Sequence, residues 1–265
     1  MIKVEKVDDH NKQQIIDFLK PDVVRHAFAL YGIQHEPEYT NMYVASEKDN
    51  LKGYIFTYSR LEPPSVIMEC ESNAAEKLIP HAPQNNFIMH TTSKLLCTVK
   101  RKYPSAKHYV EDWMLVKKGE TRHFKSEHVR RLSTEDDASK LATLLENRKD
   151  HSTASMRRYH GWISRMPLYG VFANNELVAC AGAFVQLPQV WIIGGVYTSL
   201  TQRNQGYATL VTSAITSEAL SNAETAVLFV RSDNYPAIKV YEKIGYKKNR
   251  RKYLGRCGNW TETLN

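Results

Sequence analysis

Val190-Trp-Ile-Ile-Gly-Gly-Val-Tyr-Thr-Ser-Leu-Thr-Gln-Arg-Asn-Gln-Gly-Tyr-Ala-Thr-Leu210 changes character halfway along. Its first half is apolar and rich in β-branched and aromatic residues, the composition of a buried strand. Gly194-Gly195 interrupts the run, which reads as a bulge or a close backbone approach. Thr201 to Gly206 is polar and turn-forming. From there Tyr207, Leu210, Val211, Ala214 and Ile215 fall at helical spacing, so a helix is expected from near Gly206 to about Ser221. The unit is strand, short polar loop, helix.

A helix N-terminus presents backbone N–H groups without intrahelical partners and the positive end of the macrodipole, a ready site for phosphate. Gly206 permits close backbone approach, Ala208 keeps the next turn small, and Arg203 adds a fixed positive charge. The Thr209 hydroxyl stands in the same turn. These features together point to a pyrophosphate-bearing ligand. No G-x-x-x-x-G-K-[ST] occurs, and no G-x-G-x-x-G follows the strand, so a P-loop and a dinucleotide fingerprint are excluded. What stands there is R-x-x-G-x-A, as Arg203, Gly206 and Ala208, directly after Val196-Tyr197-Thr198. This pattern resembles the coenzyme A pyrophosphate loop of the GNAT superfamily of N-acetyltransferases.

A second motif lies downstream. Thr225 to Val230 is a nearly continuous apolar run, suited to a central strand. After Ser232-Asp233-Asn234 comes a short helix, Pro236 to Ile244, with proline where a first turn accepts it and Gly245 where a helix stops. Asn234-x-x-Ala237-x-x-x-Tyr241-x-x-x-Gly245-Tyr246 is similar to the GNAT motif N-x-x-A-x-x-x-Y-x-x-x-G-[FY]. Two motifs in the right order make chance agreement improbable.

The resemblance implies an acetyl-CoA-dependent N-acetyltransferase that moves the acyl group to a primary amine by direct attack, with no metal. It places the pantetheine arm along Val196, Tyr197 and Thr198, of which Val196 and Thr198 supply the strand pairing. Tyr197, one residue out of step, points by its position to the opposite face. The resemblance further places the pyrophosphate on the amides of Arg203, Asn204, Gln205, Gly206, Tyr207, Ala208 and Thr209, and Asn234 beside the pantetheine or the thiol. Tyr241 matches the tyrosine that protonates the departing thiolate; its plain alternative is a core aromatic with a polar tip. Many GNAT enzymes carry a glutamate on the strand before the loop, but Val190 to Thr198 has no acidic residue. The general base is therefore unassigned, with His151 and His160 in a nearby helical region. The rival reading is a non-catalytic acyl-CoA-binding regulatory module. The loop also looks like that of glycine N-acyltransferase-like members, which leaves room for a longer acyl group.

Composition bounds the rest. The chain has 265 residues, ordinary apolar and charged fractions, and a formal net charge of +8. That charge fits attraction of an anionic cofactor without any further partner, and nucleic acid is not expected. The densest basic run, Lys247 to Lys252, reads by preference as a solvated strand or turn with snorkelling side chains. Four scattered cysteines (Cys70, Cys97, Cys180, Cys257) and ten unclustered histidines suggest reduced thiols and no metal site. The first ten residues carry acidic groups and no apolar stretch, so no export signal, no membrane span and a cytoplasmic setting are expected. The acceptor is expected to be a small-molecule or peptide amine, and the chain a monomer or homodimer.

The expected architecture is α/β, a mixed central sheet flanked by helices, with the GNAT fold in residues 123–265 and a smaller α/β domain in residues 1–122. The boundary is placed in the polar stretch Lys117 to His123. In the C-terminal part, Val129 to Leu132 reads as a strand and Ser133-Thr134-Glu135-Asp136-Asp137 as a capped helix start. A second helix is expected over roughly Thr153 to Ser164, then a hairpin, Leu168 to Ala173 and Leu177 to Gln186, about Asn174-Asn175. In the N-terminal part, helices are expected over Asn11 to Lys20 and Asp22 to Tyr31, then a hairpin about Lys48-Asp49-Asn50. A strand, Ser65 to Cys70, and a capped helix, Asn73 to Ile79, follow; strands Asn86 to Thr91 and Tyr109 to Lys117 with a helix between them complete the half. That order is loosely similar to a GNAT half. Where the phosphate loop should stand, however, the sequence reads Glu69-Cys70-Glu71-Ser72-Asn73-Ala74-Ala75, whose glutamates would repel pyrophosphate. The N-terminal half therefore reads as a degenerate, non-binding GNAT-like domain, with an unrelated α/β extension as the alternative.

Overall fold

A computed structural model describes residues 1–146 and 156–258. The elements run in chain order β1 (Lys3–Lys6), α1 (Lys12–Leu19), α2 (Val23–His35), β2 (Thr40–Glu47), β3 (Asn50–Tyr58), β4 (Ser65–Cys70), α3 (Ser72–Leu78), β5 (Phe87–Thr91), α4 (Leu96–Lys102) and β6 (Lys107–Lys117). The second series is β7 (Val129–Arg131), α5 (Glu135–Glu146), α6 (Met156–Arg165), β8 (Leu168–Ala173), β9 (Glu176–Leu187), β10 (Val190–Thr198), α7 (Tyr207–Asn222), β11 (Thr225–Arg231), α8 (Tyr235–Ile244) and β12 (Lys247–Cys257). The same succession, strand, two helices, three strands, helix, strand, helix, strand, is thus written twice. Of these elements the sequence reading lacked only β1, a short strand whose Lys-Val-Glu-Lys is mostly exposed. The expected helix start at Thr153 lies outside the described residues.

The chain divides into two compact units. One comprises Met1–Asp112 with a second segment that starts at Arg250; the other comprises Trp113–Asn249. The expected boundary follows the polar turn at residues 117–123, whereas these units part within strands. β6 begins in the first unit and ends in the second, and β12 does the reverse. In the first unit the strand order is β1-β2-β3-β4-β5-β12, so the last strand of the chain completes the sheet of the N-terminal half. In the second the order is β7-β8-β9-β10-β11-β6, completed by the last strand of the first series.

Local chemistry explains several of these elements. Lys48 and Asp49 join β2 to β3 with φ of 49° and 63°, and Asn174 and Asn175 join β8 to β9 with φ of 49° and 65°. Two left-handed residues in a row are the two-residue turn that matches strand twist. At the start of α5, the Asp137 amide donates to the Thr134 hydroxyl at 3.1 Å. In return Asp137 Oδ2 accepts from the Thr134 amide at 3.1 Å, a reciprocal cap with aspartate in the usual glutamate place. Burial pushes the Asp137 carboxyl up, but the Arg130 guanidinium and the amides of Ser133 and Thr134 hold it well below the carboxylate range. The start of α3 corrects the sequence reading: the helix begins at Ser72, and Glu71 precedes it with no side-chain cap.

The basic run also differs from the expectation of a solvated segment. Lys247, Lys248 and Asn249 are exposed, but Lys252 is buried and bonded to Glu69. Arg25 donates to the same carboxylate from Nε at 2.9 Å and Nη2 at 2.6 Å. Arg250 meets Asp22 at 3.0 Å and Arg251 meets Asp112 at 3.0 Å. Glu69 is therefore not a free repelling charge: burial pushes its carboxyl up, and Lys252 and Arg25 more than reverse this, leaving it below its ordinary value. A carboxylate with a depressed native pKa stabilises above its unfolded pKa and loses that contribution as the pH falls. Glu69→Gln is expected to lower the unfolding free energy at neutral pH by about 3–5 kcal/mol, because two cations lose their counter-charge. In urea titrations the parent should also lose stability more steeply than this variant as the pH falls below the ordinary carboxylate range. Equal pH slopes would show that Glu69 is not ionised in the fold.

Candidate active site

The site grows out of the end of β10. β10 pairs in parallel with β11 only from Val190–Thr225 to Ile193–Leu228, although both strands continue. On its other side β10 stays paired with β9 as far as Thr198–Ala179, with register breaks on both sides of Gly194. The bulge expected at Gly194-Gly195 is present, and Gly195 has φ +63°. Its carbonyl accepts a weak hydrogen bond from the Cys180 thiol, sulfur to oxygen 3.6 Å. From Gly194 to Thr198, the β11-facing edge of β10 has no strand partner among the described residues. Backbone donors and acceptors line an opening between two diverging strands.

Alternation fixes what each side chain does there. Val196 packs on the core beneath α7 and α8, which includes Val211, Ile215, Ile238 and Tyr241. Tyr197 packs on the other face, on the core of α5 and α6 with Leu141, Tyr159 and Cys180. The two neighbours therefore point to opposite sides of the sheet, as a strand requires. Thr198 is half-buried, and its hydroxyl has no hydrogen-bond partner among the described residues.

The loop beyond β10 turns through one short helical turn, Leu200–Gln202, an extended Arg203, and a left-handed Asn204 with φ +65°. Gly206, with φ +81°, stands at the N-cap of α7 and offers no side-chain cap. The first-turn amides of Tyr207, Ala208 and Thr209 therefore have no acceptor inside the helix. A Cβ at Gly206 would meet no atom within 4 Å, so the space beside this glycine is open. Arg203, Asn204, Gln205 and Gly206 are all exposed. Thr209 is buried, so its hydroxyl is not an exposed group of this turn as the sequence suggested.

Beyond β11, Asn234 caps α8: its Oδ1 accepts from the Ala237 amide at 3.3 Å. Pro236 sits in the first turn and Gly245, with φ +119°, closes the helix. A Cβ on Gly245 would stand 2.6 Å from the carbonyl oxygen of Glu120, so this position takes only glycine. Tyr241 is buried and lies edge-on to Tyr246, ring centroids 6.2 Å apart. The Tyr246 hydroxyl is 2.8 Å from Thr216 Oγ1, which itself donates to the Thr212 carbonyl. Tyr241 is thus braced against α7 through a buried hydroxyl chain. Burial pushes its phenol up to about 12, so it keeps its proton at neutral pH.

One aromatic wall escaped the sequence reading. On the α5 and α6 face of β9, Phe184 meets Trp162 edge-on at 6.4 Å, and Trp162 meets Tyr159 at 5.4 Å. Phe184 lies against the bulge: a Cβ at Gly194 would be 2.9 Å from its ring and one at Gly195 3.3 Å. Only the pairing register brings this residue to the glycines, and no local motif announces it. His160 is exposed on α6, and His151 lies outside the described residues. Among the described residues, no group of three His, Cys, Asp or Glu side chains is placed to hold a metal, and no helix is long and apolar enough to cross a membrane.

Residues 168–254, which contain both motifs, match the family model described as FR47-like protein. A comparison with curated protein sequences finds no match. Among solved structures, a Drosophila protein is similar at 12% identity, covering 97% of this chain and 99% of that one with a TM-score of 0.74. A GCN5-related N-acetyltransferase from Sphaerobacter thermophilus is similar at 11% identity over 100% and 98% of the two chains, TM-score 0.68. A tandem GNAT protein from the clavulanic acid biosynthesis pathway is similar at 10% identity over 99% and 100%, TM-score 0.61. The chain has the GNAT fold, and the FR47-like match falls within its second half.

The cap on α8 gives a direct test of what Asn234 does. Asn234→Ala is expected to lower stability by about 1 kcal/mol, the usual effect of losing a helix cap, whereas Asn234→Asp should keep it. Chemical denaturation of both variants measures this, and an unchanged midpoint in Asn234→Ala would remove the capping role.

Proposed function

We propose that the second half of the chain is an N-acyltransferase that moves an acetyl group from acetyl-CoA to a primary amine. The observation that carries this reading is that Val196 on the unpaired β10 edge, Tyr207 in the uncapped first turn of α7 and the protonated Tyr241 of α8 all pack in one core cluster. The amides of Arg203 to Thr209 bind the pyrophosphate, with Gly206 leaving room and Arg203 adding charge. The backbone of Val196 and Thr198 pairs with the pantetheine arm as an added strand would, while Tyr197 contributes through its backbone and packs its ring away from the ligand. Asn234 orients the adjoining turn through its cap.

The amine lone pair attacks the thioester carbonyl carbon and forms the C–N bond. Charge develops on the carbonyl oxygen, where a strand amide freed by the bulge, at Val196, stabilises it. The C–S bond then breaks. Tyr241 gives its proton to the departing thiolate, and the proton shed by the new ammonium leaves through water, since β10 carries no carboxylate to take it. The remaining contribution is placement, which fixed strands supply.

Calorimetric titration with acetyl-CoA and free CoA tests the first part. The parent should bind both, and a folded Gly206→Glu variant neither, because a carboxylate then stands over the amides meant for pyrophosphate. Tyr241→Phe should retain binding and lose about a hundredfold or more of the rate of thiol release with a responsive amine. Full turnover in Tyr241→Phe would remove it as the acid. Binding by the parent with no thiol release for any amine would instead favour a non-catalytic acyl-CoA-binding module, which the lack of a strand carboxylate also fits.

A further inference from the structure

We propose that Phe184, backed by Trp162, sets the length of the acyl group this site accepts. The inference rests on the acyl-CoA reading above and adds to it a substrate class, short acyl groups. A thioester carbonyl carbon has three in-plane directions. The oxygen points to the strand amide, and the sulfur lies toward Tyr241, on the α7 and α8 face of the sheet. The acyl carbon takes the remaining direction, toward the face that carries α5 and α6. That is where the Phe184 ring stands, in edge contact with Trp162 at 6.4 Å.

The glycine pair makes the spacing explicit. A methyl group added to Gly194 would stand 2.9 Å from Cε2 and 3.1 Å from Cδ2 of Phe184, and one added to Gly195 would stand 3.3 Å from Cζ. Contacts under 3.0 Å are closer than carbon atoms tolerate, so the ring occupies the room that a side chain on the bulge would need. The backbone of Gly194 and Gly195 is bare where the carbonyl is held, yet the space behind it is closed by an aromatic floor. A carbon as close to the strand as a Cβ on Gly194 already meets the ring, so an acyl chain extended in that direction runs into Phe184. Phe184 is only half-buried and Gly195 is exposed, so the ring borders the opening instead of being sealed in the core. Trp162 braces it from α6 and is itself braced by Tyr159, which is fully buried. Removing the ring would open the floor without touching the pyrophosphate loop or Tyr241.

The experiment compares free CoA, acetyl-CoA and butyryl-CoA by calorimetry, which requires no acceptor. In the parent, butyryl-CoA should bind about tenfold or more weakly than acetyl-CoA, the usual scale for surplus methylenes in a closed pocket. In Phe184→Ala the two should come within about threefold of each other, with the affinity for free CoA unchanged. Should that variant fail to fold, Trp162→Ala loosens the same ring from behind and is expected to shift the ratio in the same direction. An identical acetyl-to-butyryl ratio in parent and variants, or a parent that binds both equally, overturns the assignment. A parent that binds no free CoA overturns the acyl-CoA reading itself, a distinct result.

Discussion

The structure of the C-terminal half turns on one limit to hydrogen bonding, the end of parallel pairing between β10 and β11 at Ile193 and Leu228. Two neighbouring strands normally stay paired over their common length, since an unpaired edge is costly to bury. Here Gly194-Gly195 shifts the register on the β9 side, and Gly195 adopts a left-handed conformation that most side chains disfavour. β10 stays with β9 and leaves β11. The free edge at Gly194 to Thr198 follows from that divergence.

The first half shows what the same architecture does with other residues. β4 and β5 also pair in parallel over only a short stretch, Ser65–Ile88 to Ile67–His90. Two residues past the last pair, where β10 has Gly195, β4 has Glu69. Its buried carboxylate takes Lys252 from β12 and Arg25 from α2. An ion pair and bonded cation therefore fill the place that a bulge keeps bare in the other unit. His26, held near Tyr54 at 2.9 Å, has its pKa lowered to about 4, chiefly by burial, so it adds no charge at neutral pH. The sequence expectation of a half without a phosphate loop rested on repulsion by glutamate. The observed arrangement removes that argument for Glu69, whose charge is balanced by Lys252 and Arg25.

How much could be read in advance follows from the range of each interaction. The bulge, the left-handed Gly206, the cap at Asn234 and the stop at Gly245 are set by neighbours within a few residues, and the chain spells them out. So are the turns at Lys48-Asp49 and Asn174-Asn175. By contrast, the exchange of β6 and β12 between units depends on partners far away in sequence. Tyr253 meets Thr91 and Cys257 meets Phe87, a pairing that no local pattern specifies. Lys252 looked like one more solvated lysine because its counter-ion is 183 positions away. Phe184 was invisible as a site residue for the same reason, since only the β9–β10 register lays it under the glycines.

The two faces of β10 divide the proposed chemistry. Val196 faces the core that holds Tyr241, and Tyr197 faces the core that holds Tyr159 and Trp162. A leaving group and an acyl group bonded to one carbonyl carbon must point apart, and strand alternation assigns them to different layers of side chains. Tyr241 packs on Tyr246, which Thr216 holds, on one layer, whereas Phe184 packs on Trp162, which Tyr159 backs, on the other. On that proposal, changes in one layer alter acyl preference while the proton donor keeps its position. This separation is a consequence of the period-two geometry of a strand, available to any sheet that holds a flat reacting group at its edge.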